Sequence, residues 1–292
     1  MESASGLKSP GKPLLYIILG AAGSGRREVI ADLVTGGLGE EDCAVLLSSA
    51  GEGAAGEALA GVAATGCWRL EAGTIDAQVP PGATHVFFLT DGRSNPVDQL
   101  EALVPWSRAA GLEVARVITV VNCQFAERHA ELLAWFDACI HFSDVTLLHR
   151  REGVANKWLS DFQARYRDQY YPCLFELVKG GRVRNPALVL EAEARRMSHV
   201  FDADVWAGFS LEGVEFGTED GEEGGDGDGK VGDGFASSGK AGKRARRAAK
   251  KKEAAGNVDD DGIMDLPEID PYFERRAGGQ RIKMIPDVSR FL

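Results

Sequence analysis

Short, continuous apolar runs alternate with amphipathic segments between residues 14 and 205. A strand that is covered on both faces reads as an unbroken hydrophobic run, so these runs predict buried strands. The predicted strands cover 14–19, 43–48, 85–89, 114–121, 138–142, 145–148 and 173–178. The segments with apolar residues at helical spacing predict helices over 26–34, 97–110, 125–136 and 156–166. This alternation predicts an α/β fold, in which a mostly parallel sheet carries helices on both faces.

The hydrophobic pattern ends near residue 212, where the composition changes abruptly. Residues 213–262 are first rich in glycine and acid and then strongly basic, and such a composition buries too little apolar surface to fold. In residues 263–292 apolar side chains are again interspersed among charges. We therefore predict a flexible N-terminus (1–12), an α/β domain (13–212) and a disordered linker (213–262). The last region (263–292) is predicted to be a docking segment, which folds onto its own domain or onto a partner.

The charges are distributed unevenly along the chain. The 292 residues carry a formal net charge of −11, which argues against general nucleic-acid binding by the whole chain. The basic cluster at 240–252 could contact RNA, DNA or an acidic protein surface, or act as a localisation signal. Acidic stretches flank this cluster on both sides, and neutralisation within the tail is the favoured interpretation. We therefore expect an unidentified protein partner for the tail and do not favour a nucleic acid.

The cysteines and the apolar runs indicate a cellular compartment. The five cysteines are Cys43, Cys67, Cys123, Cys139 and Cys173. Their odd number and wide spacing favour reduced thiols and a reducing environment. No apolar run is long enough to span a bilayer, and the first residues lack the apolar core of a signal peptide. These features predict a cytoplasmic protein without a membrane partner.

A glycine-rich run follows the first predicted strand and opens a predicted helix. It consists of Gly20, Ala21, Ala22, Gly23, Ser24, Gly25, Arg26 and Arg27. Its spacing fits the phosphate-binding template GxxxxGK followed by Ser or Thr. In that template backbone N–H groups cradle phosphates, the lysine reaches the β/γ oxygens and the hydroxyl holds Mg²⁺. The alternative is a tight turn that binds no ligand, because glycine-rich turns are common.

Both charged positions of that template are changed in this chain. Arg26 stands in place of the lysine, and its planar guanidinium suits phosphate oxygens. Arg27 stands in place of the hydroxyl residue and cannot coordinate a cation. Ser24 is then the loop's remaining hydroxyl, so the altered loop argues against a bound Mg²⁺.

Downstream landmarks occur in an order that resembles a known family. They are GRSNP at 92–96, TVVNCQF at 119–125, SDVTLLHRRE at 143–152 and NP at 185–186. Together with the loop, they resemble the CobW/HypB/UreG group of P-loop GTPases and metallochaperones, specifically its CobW-like branch. The resemblance covers residues 14–202 and implies a P-loop NTPase-like fold that binds GTP or GDP.

The resemblance also implies roles for particular positions. The guanine base would lie beside His149, Arg150 and Glu152, where the carboxylate of Glu152 would accept hydrogen bonds from the base. The alternative for Glu152 is a solvated acid on a loop. The catalytic glutamate of the family falls on Leu89, and the nearest carboxylate, Asp91, is the candidate catalytic replacement.

Other functional positions of the family are altered as well. The aspartate at a strand end is Asn122, and the CxCC metal motif falls near Cys67, which has no neighbouring thiol. One thiolate cannot make a tetrahedral zinc site, so we predict no metal site. Phosphoryl transfer depends on positioned charge and magnesium, so the changes predict a GTP-binding protein with weak or no GTPase activity. The alternative is a non-enzymatic pseudo-GTPase, which binds a partner through its charged tail and C-terminal segment.

Overall fold

The computed structural model describes residues 11–52, 59–202 and 269–292. All of these residues belong to one compact unit of the chain. The predicted linker, 213–262, and most of the predicted flexible N-terminus lie outside the described residues. No helix in the described ranges is both long enough and apolar enough to cross a bilayer.

The centre of the structure is a mixed, mostly parallel sheet. Its strands are β1 (Leu14–Leu19), β2 (Ala44–Ser49), β3 (Ala64–Glu71), β4 (Thr74–Asp76), β5 (His85–Leu89), β6 (Glu113–Asn122), β7 (Val145–His149), β8 (Leu174–Lys179) and β9 (Arg182–Val183). They lie side by side in the order β4-β3-β2-β5-β1-β6-β7-β8-β9. The strands from β3 to β8 pair in parallel, and only β4 and β9 at the two edges pair antiparallel.

Helices cover both faces of this sheet. They are α1 (Arg26–Gly37), α2 (Pro96–Ala109), α3 (Cys123–Arg128), α4 (Leu133–His141), α5 (Asn156–Arg167) and α6 (Pro186–Leu190). The buried side chains of α1 and α6 pack in one core cluster, and those of α2 to α5 pack in a second. The predicted α/β class, with a mostly parallel sheet between two helical layers, is confirmed.

Strand β1 shows why these apolar runs are continuous. Leu15, Ile17 and Leu19 belong to the core beneath α2 to α5, whereas Tyr16 and Ile18 belong to the core beneath α1. Each is at most 1% exposed. Successive side chains of a strand point to opposite faces, so a strand between two helical layers needs apolar residues at every position.

One predicted strand, 138–142, is wrong. The chain there is the end of helix α4, and the single helix predicted over 125–136 is α3, a 3₁₀ turn at Ala130–Leu132, and the first half of α4. Trp135, Phe136, Cys139 and Ile140 are all at most 1% exposed. A helix buried on several sides has no polar stripe, and its short apolar run then reads like a strand.

The C-terminal residues 269–292 pack against the same unit. Tyr272 and Val288 are buried in the core beneath α2 to α5. Arg281 donates a hydrogen bond to Asp98 at 2.7 Å, in the first turn of α2, and also pairs with Glu101. The described part of the predicted docking segment thus contacts its own chain, while the domain boundaries stay a prediction.

A buried ion pair fixes the segment that follows α6. The Asp144 carboxylate is fully buried and lies 3.0 Å from Nη1 of Arg196, whose side chain is 3% exposed. Asp144 also accepts hydrogen bonds from the backbone N–H groups of Val117 and Arg195, each at 2.6 Å. These bonds satisfy a charge that would be costly to bury alone.

Candidate functional site

The glycine-rich loop lies at the carboxyl end of β1, where the strand order of the sheet reverses. From β1 the chain moves to β2 on one side of the sheet, and from β5 it moves to β6 on the other side. In open α/β sheets such a reversal opens a crevice at the carboxyl ends of the strands, and ligands bind in it. The loop therefore occupies the position in which this class of fold binds its ligands.

The glycines of the loop adopt conformations that other residues avoid. Gly20, Gly23 and Gly25 have φ angles of 139°, 75° and 85°. Gly25 directly precedes α1 as its N-cap residue. Left-handed residues between right-handed ones turn successive N–H groups towards one concave side, which makes a nest for an anion.

Several backbone donors of this loop are free within the described part of the chain. There, the N–H groups of Gly23, Gly25 and Arg26 make no hydrogen bond, whereas Ser24 N–H donates to Ala21 O at 3.1 Å. The free donors lie at the start of the twelve-residue helix α1, where the helix dipole also favours negative charge. This arrangement is suited to phosphate oxygens.

Arg26 does not extend into solvent. It is 3% exposed, and its Nη1 donates to the carbonyl oxygen of Thr90 at 2.7 Å. Its Nη2 lies 2.6 Å from Oε2 of Glu52. Burial lowers the pKa of the Arg26 guanidinium, and the Glu52 carboxylate opposes that shift. An arginine stays protonated in proteins, so a buried cation lies beside the loop.

Glu52 is a residue of this site that the motifs in the sequence do not include. It ends a short 3₁₀ helix, Ala50–Glu52, which directly follows β2. Its side chain is 8% exposed, and its Oε1 accepts a hydrogen bond from the Gly92 N–H at 2.7 Å. The signal that the sequence does contain is an acid just beyond the carboxyl end of a buried strand.

Gly92 joins the β5–α2 loop to the glycine-rich loop. Its carbonyl oxygen accepts a hydrogen bond from Ala22 N–H at 3.0 Å. A Cβ atom at Gly92 would lie 2.4 Å from both Ala22 N and Arg26 Nη2. Only glycine permits this approach, so the GRSNP landmark begins with a residue that has a packing role.

Asp91 lies in the same β5–α2 loop, and its carboxylate stabilises a turn of that loop by hydrogen bonds. It accepts hydrogen bonds from Arg93 N–H at 3.0 Å and from the Ser94 hydroxyl at 2.5 Å. It also lines a pocket of about 440 Å³ beside Gly51 and Trp68. Its predicted catalytic role stays a prediction, and the neighbouring Leu89 is fully buried.

The predicted base-binding loop contacts the glycine-rich loop through His149. Nδ1 of His149 lies 2.8 Å from the carbonyl oxygen of Ser24, so this nitrogen must carry the proton and donate it. A Cβ atom at Gly25 would lie 2.4 Å from Cε1 of His149. Arg150 is exposed, and its Nη2 lies 3.7 Å from the Glu28 carboxylate in the first turn of α1.

The remaining candidate positions lie close by. Glu152 is exposed, and its backbone carbonyl accepts a hydrogen bond from Gln124 Nε2 at 2.7 Å. Asn122 caps helix α3 by accepting from Phe125 N–H at 3.1 Å. Arg27 is partly buried in the first turn of α1. The structure thus gathers the three sequence segments 20–27, 90–95 and 149–152 at one edge of the sheet.

The side chains of the loop 20–27 fit an anion better than a divalent cation. Mg²⁺ requires oxygen ligands, but Arg27 supplies none and the Ser24 hydroxyl is fully buried within the loop. Across the described residues, no three His, Cys, Asp or Glu side chains gather closely enough to hold a metal. Cys67 is exposed, and its neighbour Trp68 donates its indole N–H to Leu89 O at 2.9 Å.

Comparison with known proteins gives a distant structural likeness. No protein-family model matches the chain, and no curated protein is similar to it in sequence. The crystal structure of Zn(II)-bound YjiA GTPase from E. coli is 9% identical, with a TM-score of 0.37. A Zn(II)-bound triple mutant of YjiA GTPase is 11% identical, with a TM-score of 0.41. Each match covers 63% of this chain and 67% of the other. The likeness concerns the fold alone.

Proposed function

We propose that this protein binds a guanine nucleotide, GTP or GDP, in the loop 20–27 and hydrolyses it weakly or not at all. The observation that carries the proposal is a set of N–H groups, at Gly23, Gly25 and Arg26, that have no hydrogen-bond partner among the residues that the structure describes. They lie in a nest of left-handed glycines at the point where the strand order reverses. Backbone donors in this position bind phosphate without help from a metal.

The base of the nucleotide would lie beside His149, Arg150 and Glu152. The hydrogen bond from His149 to Ser24 O fixes this loop against the phosphate-binding loop, so the two halves of the site keep a constant separation. The exposed carboxylate of Glu152 would accept hydrogen bonds from the N1 and N2 donors of guanine. Adenine lacks that pair of donors, which is why guanine is preferred in this proposal.

Hydrolysis would lack the groups that make it fast. Phosphoryl transfer depends on positioned charge and on magnesium, which neutralises the developing negative charge. Leu89 is apolar and buried where a carboxylate would be needed, and Asn122 is neutral. Asp91 accepts two local hydrogen bonds, so it has less capacity left to orient a water molecule.

A second candidate is a protein that uses this fold to bind a partner rather than to turn over a nucleotide. It is favoured by Arg26, whose charge is already paired with Glu52 inside the chain. It is also favoured by the C-terminal segment, in which Ile282 and Met284 are 41% and 66% exposed. The charged tail would add electrostatic contacts to that partner.

Isothermal titration with GTP, GDP and ATP, with and without Mg²⁺, tests the proposal. The wild type should bind GTP or GDP more tightly than ATP, and removal of Mg²⁺ should change the affinity little. Absence of heat for every nucleotide at millimolar concentration would refute nucleotide binding and leave the partner-binding candidate.

A pair of glycine variants assigns the binding to the loop. Gly23→Ala and Gly82→Ala place a methyl group at φ angles of 75° and 80°, and no atom of the described residues lies within 4 Å of either methyl position. Both changes should cost the same backbone strain, about 1 kcal/mol. Only Gly23→Ala alters the nest, so it should weaken binding about tenfold or more, while Gly82→Ala should not. Equal effects of the two variants would place the nucleotide elsewhere.

A further inference from the structure

The Glu52 carboxylate is bound by the residue that a phosphate-binding loop uses for its outer phosphates. Arg26 occupies the lysine position of the template, and that lysine reaches the β/γ oxygens. In this chain Nη2 of Arg26 lies 2.6 Å from Oε2 of Glu52, and both side chains are buried. An anion is therefore already present at the position that Arg26 serves.

A second donor approaches the same carboxylate from the β5–α2 loop. Gly92 N–H donates to Oε1 of Glu52 at 2.7 Å, while the carbonyl of Gly92 is bonded to Ala22 N–H. The carboxylate thus lies between two donors, one on α1 and one on the loop that follows the neighbouring strand. Carboxylate and phosphate groups accept hydrogen bonds from arginine in the same geometry.

The inner part of the nest remains open. The N–H groups of Gly23, Gly25 and Arg26 have no partner among the described residues, so Glu52 does not use them. The site therefore has free donors for inner phosphates, whereas the donors for an outer phosphate are occupied by the chain itself.

We propose that Glu52 takes the place of a terminal phosphate and that the site consequently selects a nucleoside diphosphate over a triphosphate. This proposal rests on the proposed function and defines its ligand more closely. A third phosphate would have to displace the carboxylate from Arg26 and Gly92, or lie against a charge of the same sign. A diphosphate would leave intact both the ion pair with Arg26 and the hydrogen bond from Gly92 N–H.

Titration of wild type and Glu52→Gln with GDP and with a non-hydrolysable GTP analogue tests the proposal. The wild type should bind GDP about tenfold or more tightly than the analogue, because like charges in a buried site are strongly unfavourable. Glutamine keeps an acceptor for Gly92 N–H and removes the charge, so the variant should gain affinity for the analogue. Its affinity for GDP should change by less than about threefold.

Glu71→Gln is the matched control. Glu71 lines the adjoining pocket beside Gly51 and Asp91, and it makes no contact with Arg26 in the described structure. Its neutralisation removes one negative charge nearby and should leave the ratio of the two affinities unchanged. Inorganic pyrophosphate and tripolyphosphate, titrated in the same way, should show the same preference without a base.

The outcomes separate this proposal from the function on which it rests. If neither wild type nor Glu52→Gln binds any of these probes, nucleotide binding itself is refuted. If the wild type binds the triphosphate as tightly as GDP, or if Glu52→Gln changes both affinities equally, only the selection by Glu52 is refuted. If Glu52→Gln does not fold, Glu52→Asp is the second variant. It keeps the negative charge but moves it away from Gly92 N–H, so it should reduce the ratio of the affinities for GDP and for the GTP analogue.

Discussion

Gly92→Ala tests the junction between the β5–α2 loop and the glycine-rich loop. Gly92 has no left-handed backbone angle, so alanine there adds no conformational strain. Its Cβ atom would, however, lie 2.4 Å from Ala22 N and from Arg26 Nη2. Contacts below 3.0 Å are essentially never made, so both neighbours must move by about 0.6 Å in a densely packed region.

The expected loss follows from these contacts. Overpacking of a dense region costs about 1–3 kcal/mol, and weakening of the bond from Ala22 N–H to Gly92 O adds about 1 kcal/mol. We therefore expect the free energy of unfolding to fall by about 2–4 kcal/mol. For a domain of this size the Tm should fall by about 2–4 °C for each kcal/mol.

Guanidinium unfolding followed by tryptophan fluorescence measures this loss, and Gly51→Ala is its control. A Cβ atom at Gly51 would meet its nearest neighbour, Asp91 Oδ1, at 3.7 Å, which is an ordinary contact. That variant should stay within about 0.5 kcal/mol of the wild type. If the two variants unfold at the same denaturant concentration, the close approach of Gly92 to Ala22 and Arg26 is wrong. The described junction between the β5–α2 loop and the glycine-rich loop would then also be wrong.

Three further predictions concern charge and thiol burial. Asp144→Asn should lower the free energy of unfolding by about 3–5 kcal/mol because it removes the fully buried carboxylate that pairs with the buried guanidinium of Arg196. Asp161→Asn breaks the ion pair with Lys157, in which the two side chains are 62% and 84% exposed, and should cost less than about 0.5 kcal/mol. Urea unfolding of both variants measures the two losses, and equal losses would contradict the buried pair. Although burial opposes it, the hydrogen bond from His141 holds the pKa of Asp270 below its usual value. The stabilisation from Asp270 is thus complete above about pH 4 and is lost as the pH falls through the lowered pKa. Asp270→Asn should therefore lose less stability than wild type on acidification below pH 4, and parallel curves would argue against the pair. Iodoacetamide at pH 8 should label exposed Cys67 readily, but three buried cysteines only after unfolding, as peptide mass spectrometry can show. These are Cys123, Cys139 and Cys173.

Burial determines which thiols react. It raises the pKa of Cys123 and of Cys173 to about 12, and it raises the pKa of Cys139 further. The thiolate is the reactive form, so these groups are unreactive at neutral pH even before access is considered. Rapid native-state labelling of any of them would contradict the packing of the core.

The elements of the sheet are predictable where burial on both faces leaves an unbroken apolar run. On that ground alone, the predicted bounds of strands β1 and β5 agree with the observed bounds to the residue. The hairpin of β3 and β4 is not predicted because most of its side chains are exposed, so its sequence carries no apolar run. The spacing of apolar residues indicates which side chains are buried. It therefore does not predict the type of element where a strand is mostly exposed, or where a helix such as α4 is buried on several sides.

The site is predictable only in part, for a different reason. The glycine-rich loop is contiguous, and the spacing of its glycines alone indicates a tight turn with left-handed angles. The contact of Arg26, Glu52 and Gly92 joins three segments separated in sequence, and only the register of β2, β5 and β1 brings them together. The acid that follows β2 marks Glu52 as a candidate, but a single sequence does not show that Glu52 meets Arg26. The sequence therefore predicts that Arg26 is available to a ligand, whereas the folded chain pairs it with Glu52.

The return of residues 269–292 to the domain has a practical consequence for any attempt to remove the charged tail. Tyr272 and Val288 are 7% and 1% exposed, so the C-terminus supplies part of the hydrophobic core. A protein cut after residue 212 would lose these side chains together with the ion pairs of Arg281 on α2. The shortened protein would expose apolar surface and aggregate. Because the fold itself would be damaged, a loss of partner binding could not be attributed to the charged tail. The informative variant deletes only the internal residues 213–262. It removes the charged linker and keeps Tyr272 and Val288 in the hydrophobic core.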